Sequence, residues 1–177
     1  MSDHSITPPP TEERDSALGR YMDAWSRLET SIQFTTQDIL GIDGDVAHVL
    51  FSAIQTFQSI KVLHAAAKLK FNEAGRTRVA KICERVISRN VRRNFIVHGS
   101  WRFRVGFGLA DGSTEVGEWR RVYDHVDPDL PKSDDGSDLT VPELDKTTGH
   151  VLEMVEELNL LADDIPSLLV RPQTSGQ

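Results

Sequence analysis

Apolar residues recur at three- and four-residue steps over much of the chain, the spacing that places them along one face of an α-helix. The first such stripe predicts a helix over about residues 11–40, which ends where Gly41 and Gly44 open a turn. The second predicts a helix over about residues 45–69. Its broad apolar face is formed by Val46, Val49, Leu50, Ala53, Phe57, Ile60, Leu63 and Ala67.

A third stripe predicts a helix over about residues 73–98, after which the period changes from helical to two. Apolar residues alternate with arginine and glycine over residues 101–109, and a second run from Thr114 to Tyr123 can return beside the first. Thr140–Glu143 has the spacing of a capping box and begins a last helix. The predicted fold is all-α, a four-helix up-down bundle with a β-hairpin inserted between helices 3 and 4.

The chain has 177 residues and 38% hydrophobic content, which fits a single compact domain with flexible ends. Residues 1–10 contain three successive prolines and read as a disordered leader. The helical domain is expected over residues 11–166, and a polar tail over 167–177. Within the domain, 100–124 is the hairpin insert and 125–139 an acidic loop.

Composition excludes several classes of site. The single cysteine, Cys83, lies on an apolar stripe, so neither a disulfide framework nor a thiolate cluster is expected, and a reducing cytoplasm suits the chain. No apolar stretch reaches the length of a membrane span, and the first residues do not resemble a signal peptide. The histidines have no metal-ligand spacing with one another. We therefore predict no metal, no cofactor and no membrane contact.

The net charge of −7 is unevenly distributed. Residues 61–104 hold twelve Lys and Arg against Glu73 and Glu84, a balance of +10, which leaves −17 on the rest of the chain. Two interpretations stand on the charges alone. The basic segment can attract the phosphates of a nucleic acid, because fields act over about 10 Å rather than over the whole molecule. It can equally be a helix face that pairs with the acidic helix near the C-terminus.

The apolar stripe of the third helix turns polar in its last two turns. The positions that should be apolar there hold Asn90, Arg93, Asn94 and His98. A conflict between local pattern and residue chemistry is typical of a functional site.

Arg93, Asn94 and His98 form an Arg-Asn-x-x-x-His sequence at a helix end, followed by Gly99–Trp101. This resembles the signature of HEPN-domain proteins, many of which are metal-independent ribonucleases. The resemblance covers about residues 15–165 and implies that these three residues are catalytic. It further implies a homodimer in which two copies of the motif face one cleft, an RNA substrate, and a toxin–antitoxin or antiviral setting with an antitoxin or regulatory partner.

The residue types suit RNA cleavage without a metal. An imidazole can act as base or acid near neutral pH, and an arginine fork can bind two phosphate oxygens. The residues also have structural interpretations: His98 can interact with the last carbonyls of its helix, Arg93 can pair with Glu29 or Glu84, and Asn94 can be an ordinary satisfied amide.

Four further residues are candidates for a supporting role. Glu29 follows Trp25 by one helical turn at the edge of an apolar stripe, where it can orient Arg93 or His98 or form a simple salt bridge. RNA-binding candidates on one outer stripe of the third helix are Arg85, Arg89 and Arg92.

The predicted function is a metal-independent endoribonuclease that acts at a composite homodimer site. The alternative is a noncatalytic HEPN-like module that binds a protein partner or a nucleotide, because fold resemblance alone does not separate the two.

Overall fold

The structure is a computed structural model that describes residues 11–98, 100–104, 118–122 and 139–170. The described part is mainly helical, as predicted. Its helices are α1 (Glu12–Leu40), α2 (Gly44–Ser52), α3 (Thr56–Lys70), α4 (Glu73–His98) and α5 (Val141–Leu168). Three short strands lie between the last two helices: β1 (Ser100–Arg104), β2 (Glu118–Val122) and β3 (Leu139–Thr140). The chain divides into two compact units, residues 1–22 with 93–148, and 23–92 with 149–177.

The larger unit, residues 23–92 with 149–177, contains α2 and α3 and most of α1, α4 and α5. Polar contacts join α1 to α3 through Glu29 and Thr56, α3 to α4 through Ile60 and Cys83, α4 to α5, and α5 to α1. Burial of apolar surface provides most of the favourable free energy of such packing. The largest fully buried side chains of this unit are Trp25, Leu28, Ile32, Ile60, Leu63, Phe71, Ile82 and Leu158.

The prediction of one continuous second helix over about residues 45–69 is wrong, because the structure has two helices there. The chain leaves helical geometry after Ala53, and Gln55 is extended, so that α2 and α3 are separate helices. Ser52 bonds back to the carbonyl of Val49, and the Thr56 hydroxyl bonds to Glu29 rather than within its own helix. Serine and threonine offer the backbone such local alternatives, which weakens helix continuity.

The predicted apolar face of α2 is also not the buried one. Ala47 and Phe51 are buried, whereas Val46, Val49 and Leu50 are 51%, 68% and 52% exposed. Because α2 is apolar on both faces, periodicity could not decide which face turns inward. The larger side chain, Phe51, occupies the interior.

Two turns hold the helices of this unit. Gly41 has a φ of 66°, and its amide donates to the carbonyl of Gln37, so the predicted glycine stop of α1 is a left-handed cap. The α3–α4 turn is paired with the end of α5: Phe71 and Leu169 form an antiparallel bridge, with amides donating at 2.8 Å from Asn72 to Leu168 and from Val170 to Lys70. A Cβ on Gly75 would lie 2.9 Å from the Phe71 ring, so this close approach requires glycine.

The smaller unit, residues 1–22 with 93–148, contains the strands. β1 pairs antiparallel with β2, with Phe103 opposite Trp119, and β2 pairs antiparallel with β3. The predicted capping box begins α5: the Thr140 amide donates to Glu143, and the Glu143 amide donates to the Thr140 hydroxyl.

Several predictions fall outside the described residues: the leader at 1–10, the cap at Gly99, the connection at 105–117, most of the acidic loop and the last residues of the tail. Of the helices that the structure describes, none combines the length and apolar character needed to cross a membrane.

The two faces of α2 give a matched test of its orientation. We expect Phe51→Ala to lower the free energy of unfolding by ~3–5 kcal/mol, because it removes a buried aromatic side chain. Val49→Ala, on the exposed face, should change it by no more than ~0.5 kcal/mol. Urea unfolding followed by tryptophan fluorescence measures both, and the reverse order of effects would contradict the orientation.

Candidate functional site

The end of α4 carries the predicted catalytic residues, and its last turns alternate between buried and exposed positions. Ile96 is fully buried, while Asn94 and His98 are exposed and Arg93 is half-buried. One apolar anchor therefore fixes the helix end, and the polar residues on either side of it remain accessible. The apolar pattern of α4 predicted buried side chains at positions 94 and 98, whereas the structure exposes both the Asn94 amide and the His98 imidazole.

Arg93 is directed towards the helical face that holds the imidazole. On a helix Arg93 and His98 are about 140° apart, whereas Asn94 and His98 are one turn apart on the same face. The Arg93 Nη1 donates to Asn94 Oδ1 at 3.3 Å. This hydrogen bond places the guanidinium beside the amide, which is the side of the helix that His98 occupies.

The Arg93 guanidinium retains unused donors. Its Nε is buried and has no hydrogen-bond partner, and Arg93 forms no ion pair with a residue that the structure describes. A charged donor buried without an acceptor is costly, and an oxyanion offers the acceptors that would offset that cost. The salt-bridge interpretation of Arg93 therefore has no carboxylate partner in the described chain.

Glu29 has a structural role in its own unit. Its Oε1 accepts a hydrogen bond from Trp25 Nε1 at 3.0 Å and another from the Thr56 hydroxyl. It forms no ion pair with a described residue. These bonds tie the first turn of α3 to α1. A supporting role towards Arg93 or His98 stays a prediction.

The basic face of α4 pairs with the acidic face of α5, as one of the two sequence interpretations expected. Arg78 forms an ion pair with Asp164 at 2.6 Å, and Arg85 forms one with Glu157. Both pairs are spaced by seven residues on each helix, and we call them the charge ladder. Arg85, an RNA-binding candidate, is therefore already held by a carboxylate.

Arg89 and Arg92, the other two candidates, form no ion pair with a carboxylate in the described part of the chain. Arg89 Nη2 lies 3.3 Å from His150 Nδ1, and the Nε of Arg92 is buried without a hydrogen-bond partner. Both arginines are half-buried. Sequence reasoning missed His150, although it stands seven residues before Glu157 and fourteen before Asp164.

A shallow groove of about 330 Å³ lies between α4 and α5 at this place. It mixes both signs of charge with one imidazole and one hydroxyl. The lining residues are Glu84, Arg85, Ser88, Arg89, His150, Glu153 and Met154.

Cys83 is not a nucleophile in this structure. It is buried, and its thiol lies 3.8 Å from the Ile60 carbonyl oxygen. Burial raises the pKa of the Cys83 thiol to about 11, because a thiolate is poorly solvated there. Among the described residues, no group of three or more His, Cys, Asp and Glu side chains is arranged to hold a metal ion.

Comparison with known proteins identified no relative of this chain. No protein-family model, no curated protein and no solved structure matches this chain. The functional argument therefore depends on the residues and their geometry.

Glu29 can be tested through stability. We expect Glu29→Ala to lower the free energy of unfolding by ~1.5–3 kcal/mol, since it removes hydrogen bonds to a charged acceptor. Glu29→Gln keeps an oxygen acceptor at the same position and should lose less. Urea unfolding of both variants makes the comparison, and a Glu29→Ala variant as stable as the parent would contradict the structural role.

Proposed function

We propose that the chain is a metal-independent endoribonuclease of HEPN type, acting on RNA at a site completed in a homodimer. The observation that carries the proposal is the Arg93 guanidinium, hydrogen-bonded to Asn94 on the side of α4 that exposes His98. A guanidinium that forms no ion pair with a described residue, an amide and an accessible imidazole are groups suited to binding a phosphodiester and moving a proton.

The finer fold assignment belongs to this proposal. A four-helix bundle is supported by the ring of contacts that joins α1 to α3, α3 to α4, α4 to α5 and α5 to α1. α2 is then a short addition between the first two helices of the bundle. The pairing of β1 with β2 supports a hairpin insert before α5.

The proposed reaction uses the substrate's own 2′-hydroxyl. One imidazole accepts the 2′-hydroxyl proton as the oxygen attacks phosphorus, and the P–O5′ bond breaks. A second imidazole gives a proton to the departing 5′-oxygen, leaving a 2′,3′-cyclic phosphate and a 5′-hydroxyl. Arg93 binds the phosphate oxygens as negative charge increases. One chain supplies one His98, so a twofold dimer supplies the acid and base.

The cellular setting follows from the resemblance. A ribonuclease of this kind acts in the cytoplasm, in a toxin–antitoxin or antiviral system, and requires an antitoxin or regulatory protein to restrain it. The described part of the chain contains no helix that could cross a membrane.

A second candidate function is a noncatalytic module that binds a protein partner. The exposed apolar face of α2, defined by Val46, Val49 and Leu50, favours it, because contiguous apolar surface is typical of interaction sites. This alternative predicts that purified protein leaves RNA intact.

The catalytic proposal predicts that His98→Ala lowers RNA cleavage by ~10²- to 10⁴-fold, because the variant loses proton transfer. Arg93→Lys should also be severe, since an ammonium keeps the charge but loses the two-pronged phosphate contact. His48→Ala, which removes an exposed histidine from α2, is the matched control and should cleave like the parent.

Cleavage is measured on purified protein with chelator present, and the product ends are identified as cyclic phosphate. Parent-like cleavage by His98→Ala, or a requirement for added magnesium, would refute the mechanism. If the parent itself leaves RNA intact, the interaction module becomes the better interpretation.

The composite site predicts an oligomer. Sedimentation at micromolar concentration should give the mass of a twofold dimer, because a single chain carries one motif. A strict monomer that still cleaves RNA would contradict a site shared between two chains.

A further inference from the structure

We propose that Arg89, Arg92 and His150 form a subsite for one backbone phosphate of single-stranded RNA, and that Arg78 and Arg85 take no part in binding. We call these three residues the phosphate subsite. The inference rests on the proposed function in that it takes RNA as the ligand.

The charge ladder identifies which cations are already neutralised. Arg78 with Asp164 and Arg85 with Glu157 are ion pairs, and both partners advance by seven residues between the pairs. A seven-residue step returns to nearly the same face of a helix, so the next position in this register joins Arg92 to residue 150.

That third position of the ladder lacks its carboxylate. Where the register calls for an acid, α5 has His150. Arg89, one turn before Arg92 on the same face of α4, reaches the His150 ring at 3.3 Å instead. Arg89 thus contacts the imidazole, and Arg92 follows one turn later on the same face of α4. Both guanidinium groups are half-buried, and neither forms an ion pair with a described carboxylate.

The hydrogen-bonding state of the three side chains suits an oxyanion. Because a guanidinium only donates, His150 Nδ1 is the acceptor in a hydrogen bond with Arg89, which leaves the other ring nitrogen, Nε2, as the donor. The Arg92 Nε is buried and has no partner. Phosphate oxygens accept from guanidinium and imidazole donors, and such charge-assisted bonds are among the strongest in proteins.

The surrounding charges limit the subsite to a single phosphate. Glu84 and Glu153 line the groove beside Arg89 and His150, and their carboxylates repel a second phosphate. Arg85 lines the same groove but is held by Glu157. The ligand is therefore one phosphodiester of a flexible strand rather than a duplex backbone lying along α4.

The test measures binding of a short fluorescein-labelled single-stranded RNA to full-length protein, in a His98→Ala background that prevents cleavage. Arg89→Gln and Arg92→Gln should each weaken binding about tenfold, the loss expected for a charge-assisted hydrogen bond. Each should also reduce the slope of log affinity against log salt by ~0.7, the value for one phosphate of a single strand.

Arg78→Gln and Arg85→Gln are the matched controls, because they remove the same charge from the same helix at carboxylate-held positions. We expect their affinities to stay within about twofold of the background. His150→Glu supplies the missing acid, and should abolish binding without lowering the unfolding temperature. Equal losses from all four arginines would overturn the subsite, as would parent-like binding by Arg89→Gln and Arg92→Gln.

Two further measurements distinguish failure of the subsite proposal from failure of the nuclease proposal, and identify the source of the phosphate. A His98-containing parent that binds with this pattern but does not cleave supports the subsite and refutes the nuclease. A parent that cleaves, while the subsite variants bind like the background, refutes the subsite alone. Inorganic phosphate should compete with RNA in the background protein and should bind more weakly to Arg89→Gln and Arg92→Gln. If inorganic phosphate binds with the same residue dependence and RNA does not bind, an RNA backbone is the wrong source.

Discussion

The pairing of α4 with α5 is the constraint on which the functional argument depends. α4 must bury Val79, Ile82 and Val86 on one face while presenting a row of arginines on another. The neighbouring helix α5 supplies carboxylates at the same spacing as two of these arginines, Asp164 for Arg78 and Glu157 for Arg85. Exposed ion pairs of this kind add little stability, typically below about 1 kcal/mol each. Their importance lies in the register they favour and in the cations that they leave unpaired.

Paired and unpaired arginines are therefore distributed unequally along α4. Arg78 and Arg85 of α4 are paired with acids, whereas the later arginines, from Arg89 to Arg93, have none in the described chain. A net charge of −7 conceals this arrangement, because most of the acidic residues lie elsewhere in the sequence. An anion near these arginines is attracted locally, because their field acts within about a Debye length.

The sequence predicted those features that local chemistry determines. The bounds of α4, the glycine cap at Gly41 and the capping box of Thr140 with Glu143 follow from spacing and turn residues alone. The inward face of α2 could not be predicted, because Val49 and Phe51 are both apolar and only the surrounding helices select between them. Arg85 and Arg89 looked alike in sequence. Their difference arises from which α5 residue stands opposite, a tertiary relation that spans more than sixty positions.

The bridge between Phe71 and Leu169 has a consequence for the order of folding. It joins the α3–α4 turn to the last residues of α5, so it closes a loop of nearly a hundred residues. Closing so long a loop costs more chain entropy than forming the local turns that precede it, and contacts of this separation form late. The α3–α4 hairpin can assemble while α5 is still being synthesised. Once α5 has folded, the residues at its end pair with the α3–α4 turn, where Gly75 allows a close approach to the Phe71 ring.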